Sequence, residues 1–340
     1  MTALFATAAF AQSTVTLSGQ VDVGVVNPIG ADKLRIDQSG NGANQIVFSG
    51  SEDLGAGLRA TFRLAQRFSP ESGLNDGSLG NRPIFQGETT IGLAGPFGTL
   101  RLGRALSALR GPVDNTDPWG TLQQASVAVV ATGYASSPDN IAYAGAGTVT
   151  GSSVVALTPV ATGAGAGRID GIHYATPSFS GFTAALTYGP KSTQITGVTT
   201  TGANQFVSAW LQYAGGPLTL GLGAEENREG DRIKAAQLSY DLGVAKVGTT
   251  YGIVDRTDTA SDRKSFNVSA IAPMGPMTFK VGYGRSRLDG VSASLKKVGV
   301  GLDYALSKRT MVYTSYGRDT GTGTAGTARS GYDLGVRHTF

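Results

Sequence analysis

Few residues in this chain could make or break bonds. It has two histidines, His173 and His338, and no cysteine, which removes thiolate nucleophiles, disulfide frameworks and cysteine-bearing metal sites. The histidines fall in different segments, so neither a His-based triad nor a metal site is expected. The acids Glu225, Glu226, Glu229 and Asp231 read as a solvated loop cluster rather than a catalytic pair; the alternative is a cluster that holds divalent cations bridging lipopolysaccharide. GTGTAG near Gly321 runs from a strand into a loop, not into a helix N-terminus, so it does not cradle phosphate. No cofactor is expected, and the chain does not read as an enzyme.

What remains is fixed charge. Basic or acidic side chains lining a narrow wet passage with low-dielectric walls select ions without any bond chemistry. Arg63, Arg67, Arg101, Lys246 and Lys280 alternate with apolar neighbours and would share such a passage. Arg104, Arg110 and Arg168 lie at the roots of one long connection or on it, and that connection carries Asp114 and Asp117. With Glu88, these two acids would oppose the basic wall of Arg63, Arg67, Arg101 and Arg168. Acting together requires a frame that curls distant segments around one lumen.

The sequence offers that frame. After Gln12 the dominant pattern is alternation of period two, in segments of about ten residues, the length a tilted strand needs to cross a bilayer. Val15, Leu17, Val21, Val23 and Val25 take one face of the first segment, while Thr16, Ser18, Gln20 and Asp22 take the other. Sixteen such segments can be counted, from near Thr14 to near Gly331, including one that begins at about Phe85. An even number of antiparallel strands closes a barrel with both chain ends on one side and leaves no open edge. Seven short turns, among them AGPFG, AGGP and APMGP, interleave with long polar connections, the division seen between periplasmic turns and external loops. Residues 27–43, 68–84 and 318–330 would then face outward from the cell.

Aromatic residues gather where strands meet the short turns: Phe97, Tyr174, Phe179, Phe182, Tyr213, Tyr240, Tyr304 and Phe340. This predicts an interfacial girdle at that one end. The connection at 104–167 is far longer than ordinary loops. Its Gly/Ala-rich stretch 141–160 is either an elaboration of the loop or an extra hairpin that would make eighteen strands.

Other features bound the alternatives. No run reaches the ~20 apolar residues of a spanning helix. Residues 1–11, MTALFATAAFA, read as the end of a signal peptide cleaved before Gln12, leaving 12–340 as a single barrel. The 28 basic and 24 acidic residues are spread without a basic run, which argues against nucleic acid. A soluble β-sandwich also alternates, but it does not need an outward apolar face on every strand.

Particular stretches carry a resemblance: TVTLSGQVDVGV, GSEDLGAGLRATF, GLAGPFGTLRLGRAL, YATPSFSGFTAALTYG, YALSKRT and the terminal GYDLGVRHTF. In their order and spacing they resemble the general porins of Gram-negative bacteria, in the β-proteobacterial branch, over Gln12 to Phe340 apart from 141–160. The resemblance implies an all-β, sixteen-stranded transmembrane barrel in the outer membrane and a third loop folded into the pore. It also implies a homotrimer embedded in lipid and lipopolysaccharide, and passive diffusion of small hydrophilic solutes and ions. A C-terminal Phe, here Phe340, is read by the barrel-insertion machinery of the family. Porins of this kind set an arginine ladder opposite an acidic third loop. Two ladder positions depart here, reading as Gln45 (with Ser49 further along) and as Gly87 or Glu88, while Arg63 and Arg67 supply charge on the intervening strand. The expectation is a weakly to moderately anion-preferring pore; the alternative is an adhesin or receptor barrel with little channel activity.

Overall fold

The computed structural model describes residues 14–29, 33–38, 43–74, 84–85, 87–120, 124–127, 168–190, 205–227, 232–255, 262–289, 294–319 and 329–340. The segment read as a leader and the 141–160 stretch lie outside them, as do Glu229, Asp231 and the GTGTAG run.

β1 (Thr14–Asn27) is followed by a three-residue β2 (Arg35–Asp37), then β3 (Gln45–Gly55), β4 (Leu58–Arg67), β5 (Glu88–Gly95) and β6 (Gly98–Leu106). A single helical turn, α1 (Arg110–Asp114), precedes β7 (Arg168–Ala175), β8 (Phe182–Gly189), β9 (Phe206–Gly215), β10 (Leu218–Asn227), β11 (Arg232–Asp241) and β12 (Lys246–Asp255). The chain ends with β13 (Arg263–Met274), β14 (Met277–Leu288), β15 (Ser294–Ala305), β16 (Thr310–Asp319) and β17 (Arg329–Thr339).

Apart from β2, consecutive strands pair antiparallel, and β1 pairs with both β3 and β17, which closes a ring of sixteen. β2 stands outside that ring, against residues 24–26 of β1 above the β3 pairing. The eighteen-strand alternative fails for a direct reason: β6 and β7 are bonded to each other along Thr99–Leu106, so no hairpin fits between them.

Alternation places the two faces as the sequence predicts. Val15, Leu17, Ile91, Leu102, Leu222, Val281 and Leu334 are exposed on the outside, where water would penalise them and hydrocarbon would not. Serines, threonines, asparagines and charged groups of the opposite parity point inward. Short turns fix the register. At Phe179–Phe182, Ser180 and Gly181 both take positive φ (49° and 86°), the two-residue hairpin geometry that follows strand twist.

The girdle differs from expectation in having two belts. A second set of aromatics lies toward the long loops: Tyr251 beside Phe266, Phe266 tilted against Tyr283 at 5.8 Å, and Tyr316 opposite Tyr332. These tyrosines sit mid-segment in the sequence, where nearness to a short turn gives no hint of their level.

The seam is made by the last residue. Phe340 and Gly19 exchange backbone hydrogen bonds of 3.0 and 2.9 Å, and the Phe340 ring lies over Gly19, where any Cβ would meet both the ring and the Gln45 carbonyl. Gly19→Val should therefore destabilise the closed barrel by about 1–3 kcal/mol, read as a lower temperature of heat-modifiable migration on SDS gels. Gly111→Ala, with nothing within 4 Å of the added methyl, should leave that temperature unchanged.

Candidate functional site

The inside of the barrel has two unlike halves. From β8 to β16 much of the inner face is small or hydroxylic, and residues 107–120 and 124–127 of the connection after β6 lie along it. Ser107 Oγ donates to Glu225 at 2.9 Å, the Ala108 amide to Thr187 Oγ1 and the Leu109 amide to Ser208 Oγ, both at 3.1 Å. Leu109 and Val113 pack with Trp210, Ile233, Ala235 and Val254. Thr116 shares a hydrogen bond with Thr250, accepts from Asn267 at 3.2 Å and, through its carbonyl, from Ser269 at 2.5 Å.

Further along, Trp119, Ala125 and Val127 form a small buried cluster seated on glycines. A Cβ at Gly282 would strike Val127, one at Gly299 would strike Ala125, and one at Gly301 would press on the Trp119 ring. Gln124 Oε1 accepts from the Ile29 amide at 2.7 Å, beside the start of the ring.

The loop's own charges are largely answered within it. Arg110 is buried and bonds Asp114 at 2.7 Å across one helical turn. Burial raises the Asp114 carboxyl above the ordinary carboxylate range, against the pull of the Arg110 guanidinium. Asp117 is buried too, accepting from Ser126 Oγ at 2.6 Å and from the Val127 amide at 3.2 Å. Its carboxylate ties Ser126 and Val127 to the stretch that ends at Gly120.

The other half of the lumen, β3 to β6, is left facing the open passage. Arg63 and Arg101 share the inward parity and both bond Glu88, at 3.0 and 2.7 Å, with their side chains 41% and 39% exposed. Arg67 follows on the same face of β4, opposite Gln45. Glu88, expected across the lumen with the loop acids, stands instead among the arginines: its strand β5 lies between β4 and β6, so inward parity places it on their wall. Two guanidiniums, those of Arg63 and Arg101, therefore share one carboxylate.

The remaining candidates separate. Lys280 points inward but is buried against Asp303 at 2.6 Å. Lys246 is inward and exposed near a short turn. Arg104 shares the parity of the exposed Leu102 and pairs with Asp170 at 3.2 Å, which puts it on the outer surface, away from the lumen group. Arg168 is buried and donates from Nε to the Gly87 carbonyl, a structural tie at the loop's root. Glu225 and Glu226, read as a loop pair, sit on β10 with opposite parity: Glu225 is buried under Ser107, and Glu226 pairs outside with Arg232 at 2.8 Å.

Sequence reasoning passed over one inward cluster. Asp22, fully buried, accepts from Tyr313 Oη, and Asp333 accepts from Ser315 at 2.8 Å with each oxygen. Their inward parity was legible; their juxtaposition across the seam was not. His173 is buried with Thr187, Gly103 and Ile169 as partners, each at 3.1 Å. Among the described residues no group of His, Cys, Asp and Glu could hold a metal ion.

Comparison with known proteins decides what kind of barrel this is. A family model described as Gram-negative porin matches residues 1–324. The chain belongs to the Gram-negative porin family. Outer membrane porin protein 32 of Delftia acidovorans is 27% identical over 98% of this chain and 96% of its own length. Major outer membrane protein P.IB of Neisseria lactamica is 26% identical over 87% and 83% respectively. The fold of the anion-selective porin from Comamonas acidovorans superposes with a TM-score of 0.77 at 23% identity, over 97% of this chain and all of that one. This porin is thus an outer-membrane diffusion channel and not an enzyme.

In this porin the seating of residues 107–120 and 124–127 on the inner wall rests heavily on Trp119. Trp119→Ala removes a buried ring at a packing cost of about 3–5 kcal/mol. Single-channel recordings should then show a larger and noisier conductance, and an unchanged conductance would mean that this segment does not bound the current path.

Proposed function

We propose that this porin passes small hydrophilic solutes with a preference for anions, through a lumen narrowed by residues 107–120 and 124–127. The observation that carries the sign is the wall of β4 to β6, where Arg63, Arg67 and Arg101 outnumber Glu88 while the loop carboxylates are engaged by Arg110, Ser126 and the Val127 amide. In a passage bounded by low-dielectric protein, a half-exposed surplus of guanidinium raises the local anion concentration. The Comamonas porin of similar fold is described as anion-selective, which accords with that sign.

We also propose that three copies associate through the outer faces of β1 to β6. These strands contain no tyrosine and no tryptophan, whereas the tyrosines of both aromatic belts lie on β7 to β17. Their outward residues are mostly aliphatic, including Val15, Leu17, Ile91, Leu93 and Leu102. Interfacial tyrosine and tryptophan belong where protein meets headgroups, so a sector without either marks a surface turned toward protein.

Planar-bilayer reversal potentials in a KCl gradient test the channel reading. The parent should give an anion-directed potential that fades near 1 M salt, where the screening length falls to ~3 Å. Arg63→Gln with Arg67→Gln should move it toward zero, and Glu88→Gln should move it further toward chloride. A cation-directed potential in the parent would overturn the proposed sign. The interface has its own readout, since the two native tryptophans, Trp119 and Trp210, are buried inside. A tryptophan placed at Leu102 should be shielded from brominated-lipid quenching and one at Leu222 quenched; equal quenching would remove the assigned interface.

A further inference from the structure

One inward row of the barrel joins four strands to the root of the lumen segment. His173 on β7 stands directly opposite Thr187 on β8, Thr187 opposite Ser208 on β9, and Ser208 opposite Glu225 on β10. All four side chains are buried. Residues 107–110 lie over this row, and three consecutive backbone amides there each donate to a hydroxyl. Ala108 donates to Thr187 Oγ1 and Leu109 to Ser208 Oγ, both at 3.1 Å, and Arg110 to Ser107 Oγ at 3.3 Å.

Each of those hydroxyls has a second bond, to a group that can gain a proton. Ser107 Oγ donates to Glu225 at 2.9 Å, and the Ser208 hydroxyl bonds the same carboxylate. Thr187 Oγ1 bonds His173 Nδ1 at 3.1 Å. The His173 tautomer follows from its other nitrogen, since Nε2 faces the Gly103 and Ile169 carbonyl oxygens, both at 3.1 Å. Carbonyls only accept, so Nε2 carries the hydrogen, Nδ1 accepts, and the Thr187 hydroxyl donates to it.

The row is complete in one protonation state. A charged Glu225 accepts from two hydroxyls in charge-assisted bonds; a protonated one loses that assistance and must place a hydrogen of its own. A protonated His173 presents a donor where Thr187 already donates, so the Thr187 hydroxyl must turn away. Both changes act in the same sense: the ties are intact while Glu225 is charged and His173 neutral, and they weaken as pH falls. The charged group that faces Glu225 is Arg110 of the segment itself, which bonds Asp114 at 2.7 Å, and β11 sets the apolar Ile233 opposite it. His173 has Arg101 opposite it on β6, with Glu88 of β5 bonded to that arginine.

We propose that Glu225 and His173 are positioning residues for the lumen segment, which hold its root at Ser107–Arg110 through three hydroxyls and release it in acid. The effect on current rests on the reading that residues 107–120 and 124–127 narrow the lumen; the hold on the root does not. The two native tryptophans report on that hold directly, because Trp210 packs with Leu109 and Val113 at the root and Trp119 lies further along the segment.

Acrylamide quenching of tryptophan fluorescence in the refolded full chain, paired with single-channel recordings, tests this between about pH 8 and about pH 4, the span in which histidine and carboxyl groups titrate. In the parent, quenching should rise reversibly as pH falls, and transitions between conductance levels should become about tenfold more frequent. His173→Gln with Glu225→Gln should lose most of the pH dependence of both. Asp333→Asn, which alters a buried inward carboxylate bonded to Ser315, should keep the parent's profile. Heat-modifiable migration reports whether each variant closes its barrel; should the double variant fail to close, Thr187→Val supplies the comparison, with quenching raised at neutral pH and a shallower profile. Quenching in the parent that does not change with pH, a closed double variant or Thr187→Val with the parent's profile, or an equal flattening by Asp333→Asn would each overturn the assignment. Quenching that follows pH while the conductance does not would support the hold on the root and overturn the reading that this segment narrows the lumen.

Discussion

Everything in this molecule depends on one constraint: inside hydrocarbon a backbone amide or carbonyl has no water to bond, so each must find a partner in another strand. A sheet of any length leaves two unpaired edges, and closure alone removes them. The residues that settle the closure are modest: Gly19, which yields its side-chain space, and Phe340, which occupies it while pairing through its backbone. The aromatic ring over a glycine restores the contact area that the glycine gives up, and Phe62 over Gly50 repeats the device one strand along.

Once the ring is closed, parity divides every strand between two solvents, and it explains why so much was readable from the sequence. Period-two alternation located the sixteen strands to within a few residues; β5, which begins at Glu88 rather than near Phe85, and β17, which begins at Arg329 rather than Gly331, show the size of the error. Parity also placed Arg63, Arg67, Arg101, Lys246 and Lys280 on the inner face. It was not applied to Arg104 or to the Glu225–Glu226 pair, which read as connection and loop positions because the ends of β6 and β10 extend further than the alternation marks.

What alternation cannot carry is which strands are neighbours in depth. Glu88 and Arg63 are 25 positions apart, and only the β4–β5 register puts them in contact. Asp22 and Tyr313 meet across the seam although 291 positions separate them in sequence. The loop was recognisable by its length, yet its path was encoded elsewhere. Gly282, Gly299, Gly301 and Gly317 form a run of inward positions without side chains, and in sequence they look like ordinary strand glycines until something is found lying on them.

The way residues 107–120 and 124–127 are held has a consequence for how such a channel can change. The hydrogen-bonding anchors along the wall are mostly groups that carry no charge: Thr187, Ser208, Thr250, Asn267 and Ser269, with Glu225 the exception. The groups that confront passing solute, Arg63, Arg101 and Glu88, bond none of them. Aperture and polarity are therefore written in separate residues. Substitution on the β4 to β6 wall can reverse what the passage favours without disturbing its calibre, and repacking beneath the loop can alter calibre without touching the charges. A lineage can tune either property alone, one residue at a time.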